Sequence, residues 1–139
     1  MRGHECWFRI NEKDNKHAQQ FFKEAISLDN NFVWAHTMQG FTHMFELFYR
    51  WSDSPIDSFQ KAELLAEKSL ALNDSFDMAH ILSGWIYLFQ KQHDKAIKEG
   101  EIAINLNPNG GEVDQRQLLF PFNDNYNSRF LYLLTNQYY

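Results

Sequence analysis

Cysteine occurs once in these 139 residues, as Cys6. No disulfide can close within the chain, so a reducing, cytoplasmic setting is the simpler expectation. Nothing near Cys6 in sequence would activate a thiolate, and it reads as a packing residue. Basic residues are outnumbered: 13 Lys and Arg against 18 Asp and Glu leave a net charge of -5. A nucleic-acid partner would want a basic face, so none is expected. No apolar run approaches the ~20 residues of a membrane span. The opening "MRGHECWFRINEKD" also lacks the apolar stretch of a signal peptide. It begins as if inside a helix, with Trp7 and Phe8 already in need of cover, so the chain reads as a piece of something longer.

Catalytic signatures are missing too. "NPNGG" carries glycines, but it has neither the Lys-Ser/Thr nor the preceding strand of a phosphate loop, and it reads as a helix stop. Glu99 and Glu101 stand two apart on a helical stretch, so they point in different directions and cannot share acid–base work. His36 and His43, two turns apart on one helix, and His80 in the next helix of that type invite a Zn²⁺ hypothesis. No HExxH and no His/Cys pair at ligand spacing supports it. These histidines read as packed between helices, each with a satisfied ring nitrogen. Neither a metal nor any other cofactor is expected, and no enzymatic activity.

What the chain does have is a repeat. His17 to Gly40 lies over Lys61 to Gly84 without a gap, every pair 44 apart: Ala18 on Ala62, Leu28 on Leu72, Ala35 on Ala79, His36 on His80, Gly40 on Gly84. Lys61 to Asp74 matches Lys95 to Pro108 at a spacing of 34. Apolar residues three and four apart predict helices over 35–49 and 77–90. A second helical type, over 16–28, 55–72 and 94–106, carries small residues where helices must approach closely. Gly40 and Gly84 sit inside helices, at a cost of ~1 kcal/mol each relative to Ala, which makes sense where a neighbouring helix crosses.

Helix–turn–helix units of 34 residues with these small residues resemble the tetratricopeptide (TPR) repeat. The clearest copy is "DMAHILSGWIYLFQKQHDKAIKEGEIAINLNPNG", Asp77 to Gly110, where Gly84, Tyr87, Ala96, Ala103 and Pro108 fall on that family's signature, as Gly40 and Ala62 do one unit earlier. His36 and His80 stand where the family most often has Trp, and Gly100 where it has a bulky aromatic. The resemblance implies an all-α, right-handed superhelix of about three hairpins. A partial first repeat would occupy 1–30, a repeat with an insertion 31–75 and a regular one 76–110. Residues 111–139 break the pattern with Leu118 and Pro121 and are expected to form a capping helix or an irregular tail.

Gly40 to Ala62 spans ten residues more than Gly84 to Ala96, and "YRWSDSP" lies in that excess. Ser54, Pro55 and Asp57 read as a helix start: cap, first helical position, acidic first turn. Phe48, Tyr49 and Trp51 are expected to pack over the hairpin edge, with contact to a ligand or partner as the alternative. The combination of "WAHTMQGFTHM", "WSDSP" and the regular copy is similar to the repeat region that accompanies bacterial class III adenylate/guanylate cyclases and related regulators. That similarity implies an accessory region, since no metal-binding aspartate motif and no nucleotide-reading segment stands here.

The first-type helices line the concave side in such stacks. Trp34, Phe41, Met44 and Phe45 fall on one side of the earlier one, and Met78, Ile81, Trp85, Leu88 and Phe89 on the same side of the later one. They are the candidate contacts for a protein or peptide partner. The alternative occupant is an upstream domain of the same chain or a second copy, in an intramolecular regulatory or dimerising role.

Overall fold

The computed structural model describes residues 11–108, which fall into two compact units, residues 11–75 and residues 76–108. The first holds α1 (Glu12–Leu28), α2 (Val33–Phe48) and α3 (Pro55–Leu72); the second holds α4 (Asp77–Phe89) and α5 (His93–Leu106). Residues 1–10 of the expected partial first repeat (1–30) and the whole of the expected C-terminal segment (111–139) lie outside the described residues, as do Cys6 and Pro121. Every described element is a helix, and among the described residues there is no strand.

Within the first unit α1 packs on α2 and α2 on α3; within the second α4 packs on α5. The contacts run through small residues. Ala35, Ala62 and Ala66 are buried in one unit, and Ala79, Ala96 and Ala103 in the other, so backbones close up where larger side chains would hold them apart. Phe41, Met44 and Leu47 fill the first core, and Ile81, Leu82 and Leu88 the second. Burying one such side chain contributes ~1.5–3 kcal/mol, which outweighs the modest helix propensity of this sequence. Asn107 just past α5 donates from Nδ2 to Asp77 Oδ2 at the start of α4, 3.2 Å away, so the two helices run antiparallel.

The repeat extends to individual hydrogen bonds. After α2, the Arg50 N–H donates to Leu47 O and the Trp51 N–H to Glu46 O; after α4, the Lys91 N–H donates to Leu88 O and the Gln92 N–H to Tyr87 O. Both pairs form the Schellman closure, with its central residue left-handed: φ is 60° at Arg50 and 63° at Lys91. Glycine adopts this backbone freely, whereas a residue with a Cβ is held there at a cost of ~1–2 kcal/mol. Each second-type helix of the first unit ends in a second shared device. Asp29 Oδ1 accepts from the Asn31 N–H and Asn73 Oδ1 from the Ser75 N–H, so a side chain replaces the backbone turn.

The ten additional residues are spread over the whole tip of the α2–α3 hairpin. With Gly40 aligned on Gly84 and Ala62 on Ala96, α2 runs three residues longer than α4. The loop has six residues (49–54) against three (90–92), and α3 begins four residues earlier than α5.

Candidate functional site

The inserted tip is built around one carboxylate. Glu46 lies in the additional turn of α2, next to Leu47, which packs inward. Its side chain is only 17% exposed. Three residues earlier on the same helix face, His43 donates from Nδ1 to Glu46 Oε1 at 2.9 Å. Ser58 at the start of α3 donates from Oγ to the same oxygen at 2.9 Å, and the Gln19 amide of α1 reaches the carboxylate as well. Ser52 in the loop is 2.6 Å from Ser58, and the Ser54 N–H donates to Ser52 Oγ. Since Ser58 gives its proton to Glu46, Ser52 gives its own to Ser58. One carboxylate thus ties together three helices and the loop. Burial opposes its ionisation, but hydrogen bonds from His43, Gln19 and Ser58 and the charge of His43 outweigh that, and its pKa falls to about 2.

Beside this network the inserted aromatics stack. Tyr49 and Trp51 lie with ring centroids 4.8 Å apart and planes 21° from parallel, and Tyr49 is 6.3 Å from Phe45. Trp51 is half-buried and Tyr49 exposed. Pro55 opens α3 and Ser54 holds the cap position, but its hydroxyl makes no cap hydrogen bond. The reason is local backbone. Asn11, with ψ at 169°, swings its side-chain oxygen onto the Asp14 N–H, whereas Ser54 has ψ at 91° and aims elsewhere.

The histidines each hold a different partner. His36 donates from Nε2 to Asn30 O at 2.8 Å, pinning the α1–α2 turn, while its other ring nitrogen is buried without a partner. His80, its repeat equivalent, instead donates from Nδ1 to Glu99 Oε1 at 2.8 Å and joins α4 to α5. Glu101 is exposed, so the two glutamates do diverge. Among the described residues no group of three or more His, Cys, Asp or Glu side chains is placed to hold a metal ion. None of the described helices is long and apolar enough to cross a membrane.

The structure divides the nine candidate partner contacts. Phe41, Met44, Phe45, Ile81, Trp85 and Leu88 are buried, enclosed by the chain itself. Met78 and Phe89 are half-buried. Trp34 alone of the nine is exposed, at 39%. Helical spacing marks a stripe but does not say what covers it, and the longest part of this stripe is core. Around Trp34, however, lies a row of aromatics that were not among the nine candidate contacts. Phe22 packs edge-on against Trp34 (5.2 Å) and against Phe21 (5.5 Å), and Phe32 lies 5.6 Å from Trp34. Phe21 is 58% exposed and Phe32 39%. The sequence signal was "FF" in α1 facing "FVW" at the start of α2, four aromatics brought together across a short turn.

Comparison with known families gives one match: the tetratricopeptide repeat model covers residues 7–32 and 79–109. The unmatched interval between them contains the hairpin with the lengthened tip, where the family register is broken. With five helices and no strand among the described residues, the architecture is all-α and TPR-like. Neither the curated proteins nor the solved structures yield a match.

Proposed function

We propose that the chain is a protein-interaction module of the TPR type. The observation that carries this reading is the exposed aromatic row Phe21, Phe32 and Trp34 on a helical-repeat scaffold. Clustered exposed aromatics are what protein interfaces use as anchors, because large rigid rings release much water at little entropic cost. Trp34 is the principal contact in this proposal, with Tyr49 and Trp51 at the inserted tip as a second. Phe41, Met44 and Phe45 are core residues of the same unit as this row, and Ile81, Trp85 and Leu88 are core residues of the other unit, so none of the six is offered as a contact.

In its finer form the proposal makes this a non-catalytic regulatory region of a larger cytoplasmic signalling protein, such as a bacterial cyclase or transcriptional regulator. A second reading, an intramolecular or dimerising role, draws on the same row, since a face that captures a partner helix also accepts one from a second copy.

Panning a displayed peptide library against the chain tests the first reading. An enriched sequence should bind at least tenfold more weakly to Trp34→Ala, with the thermal melt unchanged. Light scattering decides the second: a concentration-dependent dimer lost in Trp34→Ala supports it. A monomer that enriches no peptide refutes both the peptide-binding and the dimerising reading.

A further inference from the structure

We draw no further inference here: the strongest candidate, the exposed apolar face formed by Phe21, Leu28, Phe32 and Trp34 where α1 meets α2, belongs to the surface already described, and nothing in the structure shows what covers it.

Discussion

Replacing Glu46 by Gln keeps the shape of the side chain and removes its charge. The Gln oxygen can still accept from one neighbour, but its NH₂ now confronts donors on His43, Ser58 or Gln19. The magnitude follows from linkage. Folding lowers the carboxyl from its ordinary 4.5 to about 2, and each pKa unit corresponds to ~1.36 kcal/mol, which sets a ceiling of ~3.4 kcal/mol. The side chain retains 17% of its exposure, so solvent screening reduces this to ~2 kcal/mol. A group with a depressed folded pKa stabilises the fold above its unfolded value and loses that contribution as pH falls through the folded one. Urea melts of parent and Glu46→Gln should therefore differ by ~2 kcal/mol at pH 7, and the gap should close between about pH 4.5 and pH 2. Ser58→Ala should reproduce part of the loss at neutral pH, ~1 kcal/mol. Equal midpoints at pH 7, or a gap that persists unchanged at pH 2, would refute the role assigned to the carboxylate.

Lys91→Gly and Arg50→Gly should each stabilise by ~0.5–1 kcal/mol in thermal melts, since relief of the left-handed backbone exceeds the entropy that glycine adds to the unfolded chain. Thr37 Oγ1 donates to Ser69 Oγ at 2.9 Å, and Ser69 donates on to Leu65 O; the equivalent positions of the regular hairpin are Ile81 and Ala103. The double variant Thr37→Val/Ser69→Ala should accordingly lie within ~1 kcal/mol of the parent, with a double-mutant cycle giving a coupling of ~0.5–1 kcal/mol. Trp51→Ala removes a half-buried stacked ring and should cost ~1–2 kcal/mol, less than full burial would imply. Ser54→Ala, whose hydroxyl caps nothing, should melt within ~0.3 kcal/mol of the parent, and a loss near the ~1 kcal/mol of a true cap would contradict the observed geometry.

Periodicity made the helices readable. Leu28, Leu72 and Leu106 each end a second-type helix where the repeat places an end. α1 begins four residues before the expected 16, because Asn11 supplies a cap and Glu12 and Asp14 favour the amide end of the helix. The tip network was not readable, since Gln19, the His43–Glu46 pair and Ser58 come from three helices, and no spacing in the chain relates Gln19 or Ser58 to that pair. Nor was the fate of the aromatic stripe. Trp34 and Trp85 are equally apolar in sequence, yet one is 39% exposed and the other 4%. His36 and His80 hold equivalent positions and bond different elements, a reminder that a repeat fixes backbone register before it fixes side-chain partners.

The lengthened tip has a consequence in helical phase. Three residues added to α2 raise its end by about 4.5 Å, and four added to α3 raise its start by about 6 Å, so the two arms gain nearly the same height. At about 100° per residue, the additions turn the arm ends by about 300° and 400°, both close to a whole revolution. The arms therefore still face each other at the top as they do at the base, and the loop has only a short gap to bridge. Deleting a full turn from both arms leaves this phase intact. Deleting one residue from a single arm swings that arm's end by about 100° and separates Glu46 from Ser58. The tip behaves as a cassette that can be exchanged only as a matched pair of turns.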